Sequence, residues 1–109
     1  MKVYSLDDMH LGYFIGNFEP SVFRSEEFEI GYKFHRQGED WPNHYQKTAT
    51  EINLLIRGSM MVNGITLHAK QIFTFEPLEA AKPVFLTDCE VIVVKIPSVG
   101  ASDKVIVDG

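Results

Sequence analysis

Residues that mark disulfide scaffolds and membrane proteins are scarce in this sequence. Cys89 is the single cysteine among 109 residues, so an internal disulfide is excluded and nothing requires an oxidising compartment. No apolar run approaches the length that crosses a bilayer, and the first residues, MKVYSLDDMHLGYF, lack the apolar centre of a signal peptide. These absences predict a soluble, cytoplasmic protein that makes no membrane contact.

Positive charge is scarce as well. Lys and Arg together number 10 against 15 Asp and Glu, which gives a formal net charge of -5 at pH 7. The basic residues are scattered along the chain, whereas nucleic-acid binding depends on clustered Lys and Arg. A nucleic-acid partner is therefore not expected. Glycine-rich phosphate loops, serine-nucleophile motifs and the H-E-x-x-H zinc motif are missing too, which removes several common enzyme signatures.

The chain is rich instead in short apolar or alternating segments separated by turn residues. Its composition is 45% hydrophobic, and 109 residues are enough for one folded domain covering residues 1–109. Eight or nine such segments predict an all-β sandwich or barrel. Between two of them, the pair Asn63-Gly64 predicts a two-residue hairpin, because both central positions of that turn favour positive φ.

The segment FEIGYKFH at residues 28–35 shows the strand period of two most clearly. Its apolar side consists of Phe28, Ile30, Tyr32 and Phe34, and its other side of Glu29, Gly31, Lys33 and His35. The alternation alone does not determine which side is inward; we expect the apolar side to face the core, and a subunit interface or a pocket wall are the alternatives. In the later segment VIVVKIP, Lys95 interrupts the apolar pattern. We expect it at a solvated strand end, and the alternative is an ammonium group at the mouth of a barrel, where it would suit an anionic ligand.

One stretch carries a recognisable motif. Residues 38–58 read G38-x5-H44-x-Q46-x4-E51-x6-G58. This resembles the first motif of the cupin superfamily, G-x5-H-x-H-x3,4-E-x6-G, with glutamine at the second histidine position. The resemblance implies a cupin-type double-stranded β-helix, or jelly-roll barrel, over about residues 28–96. Residues 97–109 then form a looser C-terminal tail, in which KVIVD is expected to add a short edge strand.

The second motif of the superfamily is poorly kept. Pro77 is recognisable, but Glu79 stands where glycine is expected. Lys82 stands where the resemblance places a histidine metal ligand, and a protonated lysine cannot ligate a metal. The resemblance therefore supports the fold more strongly than it supports a metal centre.

The resemblance also places a polar row inside the barrel. His44 and Gln46 lie two residues apart on one strand, and Glu51 and Asn53 do the same on the next, so each pair shares a side. His44 and Glu51 are the candidate catalytic residues. The candidate ligand-binding residues are Gln46, Asn53, Lys82, Trp41 and Tyr45. His44, Gln46 and Glu51 are candidate ligands for a weakly bound divalent metal, and a barrel without metal is the equal alternative.

Three functions remain open on these residues. In the first, the barrel binds a small polar molecule of the carbohydrate or carboxylate type and works like a sugar isomerase or epimerase, with His44 as base oriented by Glu51. In the second, His44 and Glu51 hold the metal of a cupin dioxygenase. In the third, the site is degenerate and the protein is a non-catalytic binding or assembly module. A homodimer is expected, because small β domains need to cover their strand edges.

Overall fold

The computed structural model describes residues 1–107, which are organised almost entirely as β-strands. Within that range the strands are β1 Tyr13–Ile15, β2 Glu29–His35, β3 His44–Gln46, β4 Thr50–Arg57, β5 Ser59–Val62, β6 Ile65–His68, β7 Ile72–Phe75, β8 Pro83–Phe85, β9 Cys89–Ile96 and β10 Lys104–Ile106. Single 3₁₀ turns occur at Leu6–Asp8 and Ala101–Asp103. None of the helical turns in this part of the chain is long enough to cross a membrane.

The strands pair antiparallel in three groups. A five-stranded sheet has the order β1-β2-β9-β4-β7, a three-stranded sheet has the order β6-β5-β8, and β10 pairs with β3. The five-stranded and three-stranded sheets enclose a common core, which is the barrel architecture that the sequence predicts. The hairpin at Asn63 and Gly64 is confirmed, since it joins β5 to β6 with φ values of 51° and 80°.

The register of the five-stranded sheet determines which side chains share its inner face. Read across β4, β9 and β2, three successive inner rows are Leu55–Val91–Lys33, Asn53–Val93–Gly31 and Glu51–Lys95–Glu29. The inner face therefore changes from apolar to charged along the barrel. Residues directly opposite one another on neighbouring strands point to the same side, so each row acts as one unit.

The core occupies the apolar end of the barrel. Leu55, Cys89 and Val91 from the five-stranded sheet pack against side chains of β5, β6 and β8, namely Met60, Val62, Leu67 and Phe85. Leu55 and Cys89 have no solvent exposure. Burial of these apolar side chains supplies the main favourable free energy of folding, at roughly 25 cal/mol for each Å² removed from water.

The orientation predicted for residues 28–35 is wrong. Glu29 is only 1% exposed and faces the interior, whereas Phe34 is 46% exposed on the outer face. The cause is the pairing with β9, which sets Glu29 opposite Lys95 and Gly31 opposite Val93. Because Cys89, Val91 and Val93 fill the core, the residues paired with them must also turn inward, and the apolar side of β2 is left outside.

Two glycines of the motif have a structural reason. Gly38 and Gly58 adopt φ values of +74° and +101°, which side chains with a Cβ rarely tolerate. At Gly58, a Cβ atom would also overlap the carbonyl oxygen of Asp88. The tight passage from β4 to β5 therefore requires glycine at that position.

The segment after Pro97 is anchored to the barrel. Its strand β10 pairs with β3, setting Lys104 opposite Gln46. The buried carboxylate of Asp103 accepts hydrogen bonds from the backbone N–H groups of Thr48 and Ala49, each at 3.0 Å. The strand expected in this segment is thus present at Lys104–Ile106, and the last two residues of the chain lie outside the described residues.

Replacing Asp103 with Asn is expected to weaken this anchor. Burial alone raises the pKa of Asp103, but the hydrogen bonds from Thr48 and Ala49 outweigh it and hold the pKa below its ordinary value of 3.8. We expect D103N to lower the free energy of unfolding at pH 7 by about 1–3 kcal/mol, measured by urea denaturation.

The pH dependence of this loss has a defined sign. A carboxyl group whose pKa is lower in the folded state stabilises the protein above its unfolded pKa and loses that effect as the pH falls through the folded value. The difference between wild type and D103N should therefore shrink below about pH 4. D40N is the control, because the Asp40 side chain is 99% exposed. An equal loss in D40N, or a loss in D103N that persists in acid, would contradict the anchor.

Candidate functional site

A cavity of about 440 Å³ opens inside the barrel beyond the core. Its apolar walls come from both sheets and include Met60, Val62, Phe73, Phe75 and Phe85. Its polar lining comes mainly from the charged end of the five-stranded sheet, from β3 and from β10. An enclosed space with apolar walls and a few convergent polar groups is the usual form of a small-molecule site.

His44 lines this cavity from β3. Its Nδ1 atom lies 2.9 Å from the carbonyl oxygen of Pro42, and since a carbonyl only accepts, Nδ1 carries the proton. Burial lowers the pKa of His44, and Lys104 and Lys95 lower it further, while Pro42 and Glu51 act in the opposite direction. The ring is therefore neutral at pH 7, with the lone pair of Nε2 free to accept a proton.

Glu51 and Asn53 extend the polar lining from β4. The amide Nδ2 of Asn53 donates to Oε2 of Glu51 at 3.0 Å. No hydrogen bond joins Glu51 to His44 among residues 1–107, so the expected role of Glu51 in orienting the imidazole is filled by the Pro42 carbonyl. The Glu51 side chain instead lines the cavity with its carboxylate hydrogen-bonded to the Asn53 amide.

Gln46 is the least satisfied polar group of the site. It is 5% exposed, and its Oε1 atom accepts no hydrogen bond from any described residue. A buried acceptor without a donor costs about 1–3 kcal/mol. Gln46 lines the cavity, but the Oε1 atom itself has almost no accessible surface, so a ligand reaches other atoms of this side chain.

Three lysines give the cavity its positive charge. Lys33 and Lys95 approach the same Tyr13 ring, with Nζ atoms 4.5 and 5.4 Å from its centroid, and Lys104 Nζ lies 4.3 Å from the Trp41 ring centroid. Burial lowers the pKa of Lys33 and of Lys104, and Lys95 lowers both further. The three ammonium groups therefore repel one another in a partly dehydrated space.

Lys95 corrects a prediction from the sequence. It is only 6% exposed and lies in the inner row between Glu51 and Glu29, rather than at a solvated strand end. Among the described residues, Lys95 Nζ has neither a hydrogen bond nor an ion pair within 4.0 Å. Its register position, which depends on two partner strands, places it inside.

Tyr13 and Glu29 complete the charged end. The Glu29 carboxylate accepts hydrogen bonds from the Ser98 hydroxyl at 3.1 Å and from the Gly100 N–H at 2.9 Å. Burial, together with Glu29 and Glu51, raises the pKa of Tyr13, so its hydroxyl stays protonated and able to donate. Through these hydrogen bonds Glu29 connects the C-terminal segment to the β2 wall of the cavity.

The structure brings together five of the residues that the sequence marks as candidates. His44, Gln46, Glu51, Asn53 and Trp41 all line the cavity. Two others lie elsewhere: Tyr45 is not in the lining and alternates away from it on β3, and Lys82 is exposed, with its Nζ donating to the Trp41 carbonyl at 3.2 Å.

The cavity lining also contains polar and charged residues that are not among the candidates from the sequence, including Tyr13, Glu29, Lys33 and Lys104. The sequence shows that Glu29, Gly31 and Lys33 share one side of their strand. Whether that side faces the interior depends on the pairing of β2 with β9. Lys104 carries no local signal, because its position results from the anchoring of a segment that follows the barrel.

The donor set does not fit the transition metals that cupins commonly hold. Within residues 1–107, no three His, Cys, Asp or Glu side chains come close enough to hold a metal ion. His44 and Glu51 offer one imidazole and one carboxylate, and the amide of Gln46 is a weak ligand. The three lysines of the same cavity add positive charge that disfavours a cation.

No protein-family model and no curated protein matches this sequence. Solved structures do match the fold. A conserved protein with a double-stranded β-helix domain from Klebsiella pneumoniae superposes with a TM-score of 0.70 at 15% identity, covering 99% of this chain and 93% of that one. The chain therefore has the double-stranded β-helix fold of cupins, as its first motif predicts.

Enzymes are among these structural neighbours. The DMSP lyase DddQ from Ruegeria pomeroyi matches with a TM-score of 0.68 at 16% identity, covering 84% of this chain and 48% of that one. An oxalate oxidase in complex with the substrate analogue glycolate matches with a TM-score of 0.63 at 18% identity, covering 74% and 46%. At these identities the likeness shows the fold alone.

Replacing Gln46 with Met is expected to stabilise the protein. Methionine keeps the length of the side chain and removes the buried acceptor that has no donor, so the free energy of unfolding should rise by about 1 kcal/mol. Urea denaturation without added ligand measures this change. Q37M is the matched control, because Gln37 is exposed and should respond little. Destabilisation by Q46M would show that Oε1 is satisfied in the free protein.

Proposed function

We propose that the barrel binds a small carboxylate that also carries hydroxyl groups, such as a 2-hydroxy acid or a sugar acid, and that His44 exchanges a proton with it. The observation that carries this proposal is the convergence of three lysines on one cavity. Lys33, Lys95 and Lys104 outnumber the two lining glutamates, Glu29 and Glu51, so one ligand carboxylate balances the charge of this set.

The lining also suggests how such a ligand lies. The ligand carboxylate fits beside Lys33 and Lys95, which both lie close to the Tyr13 ring. The side-chain amide N–H of Gln46 and the protonated Tyr13 hydroxyl can each donate to a ligand oxygen. Charge-assisted hydrogen bonds of this kind are the strong ones in a dehydrated site.

His44 is suited to act as a base on this ligand. Its Nε2 lone pair is free at pH 7, because Nδ1 donates to Pro42 and the pKa of the ring is lowered. Removal of a proton from a carbon or hydroxyl group of the ligand, followed by its return at another position, is the chemistry of isomerases and epimerases. The lysines would stabilise the negative charge that develops.

The oxalate oxidase neighbour supports the proposed ligand class. It holds glycolate, which is itself a 2-hydroxy acid, so a barrel of this fold can accept such a molecule. The proposal for the present chain rests on its own lysines and glutamine, because the shared fold alone does not determine chemistry.

The two other functions have less support. A metal-dependent dioxygenase needs a ligand set that the cavity does not offer among the described residues. A non-catalytic module with a degenerate site would be favoured if side chains filled the barrel. The barrel instead has a cavity of about 440 Å³ beside His44.

Calorimetric titration tests the proposal directly. We expect glycolate and gluconate to bind and the uncharged polyol sorbitol to bind much more weakly. Lys95→Gln removes one ammonium group from the seat of the carboxylate and should weaken binding by about tenfold or more, since a hydrogen bond to a charged group is worth about 1.5–3 kcal/mol. Lys82→Gln is the matched control, because Lys82 lies outside the cavity lining.

The same titration has a predicted pH dependence. Lys33 and Lys104 release their protons below the ordinary lysine pKa of 10.5, so carboxylate affinity should fall as the pH rises from 7 through these lowered pKa values. Equal binding of gluconate and sorbitol, or equal losses in the Lys95 and Lys82 variants, would overturn the proposed ligand class.

The expected homodimer is retained as a proposal, with the outer face of the five-stranded sheet as the contact between two copies. Tyr32, Ile92, Leu54 and Ile72 form one apolar row across this face. Sedimentation velocity should show a dimer for the wild type and a monomer for Leu54→Asp, because a buried carboxylate is costly in an apolar contact. Leu78→Asp, in the turn after β7, should remain dimeric. A monomeric wild type at micromolar concentration would refute this contact.

A further inference from the structure

The three lysines of the cavity are not equivalent. Lys33 donates a hydrogen bond to the carbonyl oxygen of Leu11. Lys95 lies in register between Glu29 and Glu51. Lys104 has no such neighbours in its strand pairing, because it lies opposite Gln46. Its Nζ, which like that of Lys95 has no hydrogen bond or ion pair among the described residues, lies against the face of Trp41.

A lysine becomes a nucleophile when its surroundings favour the neutral amine. Dehydration and a neighbouring cation are the two usual causes. Lys104 has both, because it is half-buried in the cavity wall and shares the cavity with Lys95. Burial first, and Lys95 second, lower the pKa of Lys104, while Glu51 acts in the opposite direction.

The position of Lys104 separates it from the seat of the carboxylate. Lys33 and Lys95 meet at the Tyr13 ring, whereas Lys104 extends over Trp41 from β10. When a ligand carboxylate is held by Lys33 and Lys95, Lys104 is the amine of these three that the carboxylate leaves available in the same cavity. The ligand class with an electrophilic carbon next to a carboxylate is that of the 2-oxo acids.

We propose that Lys104 forms an imine with the carbonyl carbon of a 2-oxo acid whose carboxylate is held by Lys33 and Lys95. This inference rests on the proposed function for the carboxylate seat and adds a covalent step to it. The chemistry is that of a Schiff base between an amine and a ketone or aldehyde.

The step balances with water as the only other product. The neutral Nζ lone pair forms a bond to the carbonyl carbon, and the π electrons of the C=O bond move to oxygen, which takes up a proton. The nitrogen loses a proton, for which Nε2 of His44 is an available acceptor in the same cavity. The hydroxyl group then takes up the proton held by His44 and leaves as water, while the nitrogen lone pair forms the C=N bond of an iminium ion. Loss of the second nitrogen proton to solvent, which replaces the proton taken up by the oxygen, gives the neutral imine.

Gln46 is placed to contact the intermediate of this step. It lies directly opposite Lys104 in the pairing of β3 with β10, and both residues line the cavity. The carbinolamine that precedes loss of water carries a hydroxyl group next to Nζ. The side-chain amide N–H of Gln46 can donate a hydrogen bond to the oxygen of that hydroxyl group.

Reductive trapping tests the proposal on the full chain. The protein is incubated with pyruvate as the probe and sodium cyanoborohydride, which reduces an imine to a stable secondary amine. Intact mass spectrometry should show one pyruvate-derived group per chain, and peptide mapping should place it on Lys104. Labelling spread evenly over the exposed lysines of the wild type would overturn the proposal without the need for any variant.

Two variants complete the test. Lys104→Arg keeps a cation and removes the nucleophile, so single-site labelling should be lost, whereas Lys82→Arg should be labelled as the wild type is. Thermal unfolding confirms that each variant is folded. Single-site labelling that persists in folded K104R overturns the assignment to Lys104.

The outcome is distinguishable from failure of the proposed function. Gluconate binding without pyruvate trapping leaves the carboxylate site standing and removes the imine. If neither gluconate binding nor pyruvate trapping is observed, both the carboxylate site and the imine are overturned.

Discussion

The antiparallel pairing of β9 between β2 and β4 is the constraint on which the rest of the structure depends. This strand alternates strictly, so Cys89, Val91, Val93 and Lys95 all turn inward. Val91, Val93 and Lys95 each fix the direction of one residue on either side, and Cys89 fixes that of His35 on β2, because directly paired side chains share a face. One set of backbone hydrogen bonds thus assembles the apolar core at one end and the charged cavity at the other.

The parts of the fold that depend on local chain geometry are readable from the sequence. Gly58 is required by a positive φ and a close backbone approach, and Asn63-Gly64 specifies the hairpin that it forms. His44 and Gln46 are found together in the cavity because strand alternation over two residues does not depend on a distant partner. The motif therefore identifies both the barrel and the β3 wall of the site.

The remaining parts depend on pairing with distant strands. The face of β2 is misjudged because its outer side is the more apolar one, and only its register with β9 reverses that choice. Lys95 looks like a strand-end residue until its two neighbouring strands are known. No local pattern predicts that Lys104 lines the cavity, because its position depends on the hydrogen bonds of Asp103 to backbone groups that lie 54 and 55 residues earlier.

The attachment of the C-terminal segment separates ligand choice from barrel stability. Gly100, Ala101 and Lys104 contribute to the cavity lining, but none of them belongs to the paired rows that build the core. As long as Asp103 keeps its anchor, substitutions at Ala101 and Lys104 change the shape and charge of the cavity without touching the core. Gly100 is more restricted, because its φ is +70° and its N–H donates to Glu29. The lining that this segment provides can therefore vary independently of the strands that form the core.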